Sequence, residues 1–241
     1  MRLLLLPTAA VLLAATAVTA AGPAHFTALL TTTGRPEADT VRDADRKPAE
    51  VMAFAGIRPG MKIAEVAPGG GYYTRLLSAA VGPKGYVYTI AFRPSPAVAD
   101  IARKAGNVSV GVGKPGDALT PEPVDLVWTT QNYHDFKNLK VGDGDAAALY
   151  NQAAFAALKP GGIYLVNDHQ TAKGAGATQT STLHRIEDAV VIREVEAAGF
   201  KLEARSEILR HPADDHTLRV QESGIRGKTD QFLLRFRKPR K

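Results

Sequence analysis

Ile63-Ala64-Glu65-Val66-Ala67-Pro68-Gly69-Gly70-Gly71-Tyr72-Tyr73-Thr74 decides how the rest of the chain is read. An apolar run, entered through Pro59-Gly60-Met61, ends in an acidic residue and a block of glycines, and a helical pattern begins directly behind them. That order reads as a strand, a tight loop and a helix start. Glycines let backbone N–H groups approach a ligand closely, and a helix N-terminus adds a favourable dipole. A nucleotide-like ligand is therefore expected here. Spacing excludes two common alternatives: Thr74 stands where a dinucleotide fingerprint needs Gly or Ala, and the Gly-Lys-Ser/Thr of a P-loop is missing.

Outward from this stretch the chain alternates. Tyr73, Leu76, Leu77, Ala80 and Val81 share one helix face, Gly82-Pro83-Lys84-Gly85 ends the helix, and Tyr86–Ile90 is a second strand, which makes a right-handed parallel unit. Pro96–Ala105 reads as a helix and Val108–Val112 as a third strand. The literal G-x-G-x-x-G at 111–116 is rejected as a binding motif because Pro115 stands where a helix should be under way. Val124–Thr130 is a fourth strand leading into Gln131-Asn132-Tyr133-His134-Asp135-Phe136, and the polar loop 138–144 is expected to move. Asp145 caps a helix that Lys159-Pro160-Gly161-Gly162 stops before a fifth strand, Ile163–Val166. A Gly/Ala/Thr-rich loop, a helix through Val191 and Val195, and two strands at 200–209 and 230–237 complete the chain, the last pair forming a long hairpin around the polar stretch 211–228. Upstream, Pro48 suits the first turn of a helix, and the alternating charges of 37–47 suggest an arm on the surface rather than in the core.

The 241 residues suit one α/β domain, and 45% hydrophobic with 22% charged residues is ordinary for a globular chain. Met1-Arg2, the run Leu3–Leu6 and an uncharged Ala/Val/Leu/Thr stretch to Ala21 read as a secretory signal peptide, with an uncleaved anchor as the rival. The expected division is a signal at 1–21, an arm at 22–47 and one domain at 48–241, in a periplasmic or secreted protein without stable membrane insertion once the signal is removed. Zero cysteines exclude disulfides, thiolate metal sites and cysteine nucleophiles. The net charge of +6 includes a basic tail, read as solvated, and no nucleic-acid-binding motif is present.

Small residues two, four and six positions after Glu65, Asp117 beyond the third strand, Asp125-Leu126-Val127-Trp128 and the turn Leu158–Gly162 together resemble class I S-adenosylmethionine (SAM) methyltransferases. The signal, Arg46–Glu50, Asn132-Tyr133-His134-Asp135, Asn167-Asp168-His169 and His184-Arg185-Ile186 look like an exported bacterial branch of predicted methyltransferases. The resemblance implies a single doubly wound, Rossmann-like α/β domain, mostly parallel, with an antiparallel pair at its C-terminal end. It also implies SAM as cofactor and a small-molecule acceptor. Glu65, Ala67, Gly69 and Gly71 would surround the methionine and sugar, with Gly70, Tyr72 and Asn132 beside them, and Asp117 would reach the adenine. One departure stands out, since the family's ribose-binding acid after the second strand is replaced by Ala91-Phe92-Arg93. Either Glu65 or a residue of the 35–47 arm is expected to substitute, or affinity for SAM is reduced.

Ligands of open α/β sheets sit at the carboxyl ends of the strands. His134-Asp135 after the fourth strand and Asp168-His169 at the end of the fifth should therefore face one crevice. His134 or His169 is expected to be a general base, oriented by Asp135 or Asp168. The same four residues, or His211, Asp214, Asp215 and His216, are of metal-ligand type, although no metal is assigned. His184-Arg185 reads either as a clamp for an anionic substrate group or as a surface cap. Tyr73 and Trp128 read as core. A non-catalytic module binding a nucleoside-like or anionic ligand on the same fold is the alternative function.

Overall fold

The computed structural model describes residues 22–32 and 34–240, so the signal-like segment lies outside the described residues. Five strands follow one another in the order expected: β1 (Lys62–Val66), β2 (Tyr86–Ala91), β3 (Val108–Val112), β4 (Val124–Thr130) and, after a two-residue ribbon β5 (Lys140–Val141) and β6 (Gly144–Asp145), β7 (Leu158–His169). β8 (Lys201–Ser206) and β9 (Gln231–Arg237) close the chain. The seven long strands form one sheet in the order β3-β2-β1-β4-β7-β9-β8. The pairs from β3 to β7 are parallel, while β7–β9 and β8–β9 are antiparallel. The chain leaves β1 toward β3 and returns on the other side to β4. The order reverses between β1 and β4, where sheets of this kind open a ligand crevice.

Strand pleating explains the two cores. On β4, Leu126 and Trp128 face a layer with Phe26, Val51, Leu76 and Ile101, whereas Val127 faces Tyr133, Tyr150, Val191 and Val195 on the other side. The first layer is built from α1 (Pro23–Thr32), α4 (Pro48–Ala55), α5 (Tyr72–Val81) and α6 (Pro96–Ala105); the second from α7 (Tyr133–Asn138), α8 (Ala146–Ala157) and α9 (Asp188–Ala197). Tyr73 and Trp128 are buried together, ring centroids 4.8 Å apart, as core residues. Local signals behave as expected: Pro48 sits in the first turn of α4, and the Asp145 carboxylate accepts from Ala147 N at 3.0 Å to cap α8.

Most of the 35–47 arm is exposed, as expected, but its short helices α2 (Glu37–Thr40) and α3 (Asp43–Arg46) are tied down against α5. Arg35 and Asp39 are buried there, each in an ion pair: Arg35 with Asp43 at 2.7 Å and Asp39 with Arg75 at 2.7 Å. Arg35, Asp39 and Asp43 thus satisfy one another and α5, while Glu37 and Arg42 face water. The loop at 138–144 is tied into the β5–β6 ribbon. Among the described residues, no helix is long and apolar enough to cross a membrane.

Candidate functional site

The glycine loop after β1 is held by its neighbours. Ala67 N donates to Ile90 O at 2.8 Å, Gly71 N to Pro68 O at 2.9 Å, and Ser95 Oγ to Gly69 O at 3.1 Å. Ala67, Gly69 and Gly71 all have positive φ, at 56°, 56° and 81°. Gly69 and Gly70 are exposed, and a Cβ on either would meet no atom within 4 Å, whereas one on Gly71 would stand 2.2 Å from Ile101 Cδ1. The loop therefore combines a packed base with an open rim.

Glu65 lies beneath this rim, its carboxylate accepting from Thr74 Oγ1 at 2.6 Å. Burial pushes its pKa up to about 7 against the opposing pull of Thr74 and Arg75. Tyr72 is buried and points toward the arm, donating its hydroxyl to Asp43 at 2.6 Å beneath the Arg46 guanidinium. Asn132 donates its side-chain amide to Ala67 O at 3.1 Å and to Thr130 O at 2.7 Å, which bolts the end of β4 to the glycine loop. Asp117 is exposed and its carboxylate accepts from Lys114 N at 2.7 Å, closing its own turn. β2 ends in Ala91 and the half-exposed Phe92, which packs against Phe136 and Tyr150. Of the expected substitutes for the missing acid, Glu65 is bound by Thr74, Asp39 by Arg75 and Asp43 by Arg35, whereas Glu37 of the arm is exposed.

Across the switch point, β4 and β7 run side by side with Thr130 opposite Asn167, so His134, Asp135, Asp168 and His169 do converge. Asp168 is fully buried and accepts three hydrogen bonds: from His134 N at 2.7 Å, His134 Nδ1 at 2.8 Å and His169 N at 2.8 Å. Burial alone would lower the His134 pKa, but the charge and hydrogen bond of Asp168, with Asp135 beside it, raise it above the usual value. His169 differs. Burial dominates and holds its pKa down to about 3, while its Nδ1 pairs with Thr229 Oγ1 at 2.8 Å. The expectation that either histidine serves equally is thus narrowed by environment. Asp135 is exposed at the mouth and orients neither ring by a close hydrogen bond, standing 3.5 Å from His134 Nε2.

The cluster has a further member. His184 Nδ1 lies 3.2 Å from His134 Nε2, and Arg219 Nη2 lies 2.9 Å from His184 Nε2. Arginine can only donate, so His184 accepts at Nε2 and carries its proton on Nδ1. That proton goes to His134 Nε2, and His134 Nδ1–H goes to Asp168. The chain of hydrogen bonds is directed from the surface to a buried carboxylate. His184 reaches this place because residues 184–186 return along the end of β7, with Ile186 N donating to His169 O at 3.0 Å. Its φ is 56°, and Gln131 at the end of β4 has φ 59°. Ala67, Gln131 and His184 are three of the five non-glycine residues with positive φ among the described residues, and all three border the site.

A crevice of about 730 Å³ opens over these rings, walled on its far side by Arg42 and Arg46 of the arm. Arg46 donates to Gln131, Gln131 Nε2 to Gln231 Oε1 at 3.2 Å, and Asn167 Nδ2 to the same oxygen at 3.2 Å. Other expected features lie apart. Arg185 is fully buried and forked onto Asp214 at 2.8 and 3.1 Å, so it is neither a substrate clamp nor a surface cap. Asp214 is occupied by that fork and by Asp230 N, and His216 pairs with Asp230, which makes 211–216 a structural tie. Sequence reading gave His184 another role and assigned none to Arg219, to Gln131 at the end of β4 or to Gln231 at the start of β9, because position at an element's end does not show which way a side chain turns.

No family model matches the chain. A protein-L-isoaspartate O-methyltransferase from Ignicoccus hospitalis is 31% identical over 125 residues, covering 49% of this chain and 52% of that protein. The chain thus spans about half the length of the curated relative it matches. A SAM dependent methyltransferase from Aquifex aeolicus superposes with a TM-score of 0.59 at 19% identity, covering 90% of this chain and 98% of that one. Aeropyrum pernix fibrillarin, solved with natively bound S-adenosyl-L-methionine, superposes at 0.50 with 15% identity, covering 75% and 67%. Strand order, the glycine loop at the switch point and these likenesses converge on one architecture, and the chain has the class I SAM-dependent methyltransferase fold.

Proposed function

We propose that this protein is a SAM-dependent methyltransferase acting on a small-molecule acceptor. The carrying observation is the 3.1 Å hydrogen bond from Asn132 to Ala67 O, which joins the glycine loop to the segment that bears His134. In this reading Gly69 and Gly70 offer the open rim on which SAM lies, and the acceptor occupies the crevice next to it. Methyl transfer from a sulfonium needs an in-line nucleophile, exclusion of water and loss of the acceptor's proton. The arm, folded over Tyr72, supplies a wall against water. His134, oriented by Asp168, is the ring that activates the acceptor, while His169 stays neutral and shapes the crevice. SAM bound to the solved fibrillarin supports the cofactor. Asp117 and Tyr72 would have to leave their present partners to touch it.

Calorimetric titration of the folded protein with SAM and with its demethylated product tests this. Binding of both with dissociation constants on the order of micromolar is expected. No binding of either would sink the reading and favour a module for another nucleoside-like or anionic ligand, with Ala91 as the reason. The leader-like residues 1–21 support membership of an exported branch, with a periplasmic or secreted destination. Cell fractionation checks the destination, since recovery in the cytoplasmic fraction alone would contradict it, and N-terminal sequencing then separates a cleaved signal from an uncleaved anchor that keeps Met1.

A further inference from the structure

Three ligand-type atoms converge in the wall of the crevice. His134 Nε2 and His184 Nδ1 are 3.2 Å apart, and Asp135 Oδ1 stands 3.5 Å from the first and 3.6 Å from the second. Only the histidine edge is a good hydrogen-bond length. A triangle with these sides has its centre about 2.0 Å from each corner, the bond length a zinc-like ion makes to imidazole nitrogen and carboxylate oxygen. We infer that His134, Asp135 and His184 form a binding site for one first-row divalent transition-metal ion, open toward the crevice.

Independent features support the site. The Asp168 carboxylate on His134 Nδ1 fixes the ring so that Nε2 presents its lone pair, the arrangement that usually stands behind a metal-bound histidine. The backbone at His184 is held at a φ of 56°, an unfavourable conformation for histidine that aims this ring into the cluster. Asp135 and Asp168 together supply two negative charges for a doubly charged ion. All three ligands border the crevice, so the ion's remaining positions face whatever molecule enters it. There it would lower the pKa of a bound hydroxyl or water, taking over from the free His134 ring the task of activating an acceptor.

One contact opposes the ion, and it makes the idea sharper. Arg219 donates to His184 Nε2, which requires the proton on Nδ1. Metal on Nδ1 moves that proton to Nε2, where it faces the guanidinium donor, so Arg219 must swing away. Arg219 is exposed and has room to do so. It therefore lowers the affinity of the site for the ion.

The test needs neither SAM nor an acceptor, so it fails or succeeds apart from the methyl-transfer reading. The full protein, stripped with a chelator, is titrated with Co²⁺ followed by its visible d–d absorption, and Zn²⁺ is then added as competitor. Saturation at one ion per chain and displacement by Zn²⁺ are expected. His184→Ala and Asp135→Ala should each weaken Co²⁺ by about tenfold or more with unchanged circular dichroism, while Arg219→Ala should bind at least as tightly as wild type. No saturable binding by the folded wild type would overturn the site and leave a purely hydrogen-bonded triad. Undiminished binding by the His184→Ala, Asp135→Ala double variant would overturn it too.

Discussion

Asp168 accepts the Nδ1 proton of His134 at 2.8 Å with one oxygen and that residue's backbone N–H at 2.7 Å with the other. One buried carboxylate thus fixes both the tautomer and the place of the ring. Asp168→Asn keeps the shape but turns an acceptor into a donor against His134. The proposed methyl transfer should fall by about tenfold to a hundredfold, and stability by roughly 1–3 kcal/mol. Turnover kinetics beside a thermal melt separate the two effects; unchanged turnover would show that the ring's orientation is irrelevant.

The glycine loop allows cofactor contact and folding to be tested separately. Gly69→Ala places a methyl group in open space at a φ of 56°, costing about 1 kcal/mol in backbone strain. Its main effect should be a tenfold or greater loss of SAM affinity by calorimetry. Gly71→Ala drives its Cβ against Ile101 in the core and should cost more, about 2–3 kcal/mol in denaturant unfolding. Equal SAM affinity in Gly69→Ala and wild type would move the cofactor elsewhere.

Glu65 ties stability to pH. Its folded pKa of about 7 exceeds the ordinary carboxyl value of 4.5, so the folded state binds the proton more tightly. The associated stability is full below pH 4.5 and is lost as pH rises through 7, about 3 kcal/mol in all. His169 runs the other way: with a folded value near 3, its contribution is full above pH 6.5 and lost as pH falls. Above pH 6.5 His134, whose pKa is raised by Asp168, loses stability in the same direction as Glu65, so comparison with a Glu65 variant is needed to isolate the carboxyl. Urea unfolding from pH 6.5 to 8 should show wild type losing stability relative to Glu65→Gln. Parallel curves would mean that Glu65 ionises normally.

Arg185 and Asp214 form a buried forked pair, and removing one partner strands the other. Arg185→Ala should cost about 3–5 kcal/mol. The double replacement with Asp214→Ala should cost less than the two single changes summed. Simple additivity in chemical unfolding would show that the pair is not coupled.

Much of this architecture is legible in the sequence, because it rests on local rules. Pro48, Asp145 and the glycines after Glu65 mark element ends by backbone chemistry, and the uniformly apolar strands announce a parallel sheet. His134 and Asp168 could be brought together because neighbouring parallel strands must deliver their ends to one edge. His184 could not be placed in the same way: it arrives by a loop that doubles back along β7, and loops carry no periodicity. Arg35 and Asp39 mislead for another reason. Their charges suggest solvent, and only the folded chain shows the partners that allow burial. Asp117 is exposed and its carboxylate turns to Lys114 N, a local turn contact that no periodicity announces.

The position of β9 has a consequence for assembly. The strand that carries Asp168 and His169 obtains its second hydrogen-bonding neighbour from residues 231–237, and Gln231 also belongs to the polar network beside the crevice. Until that distant strand inserts between β7 and β8, β7 keeps an unpaired, apolar edge, and loop-closure entropy delays the insertion. The crevice is thus among the last parts of the molecule to form, so during refolding the recovery of ligand binding should trail the return of helical signal.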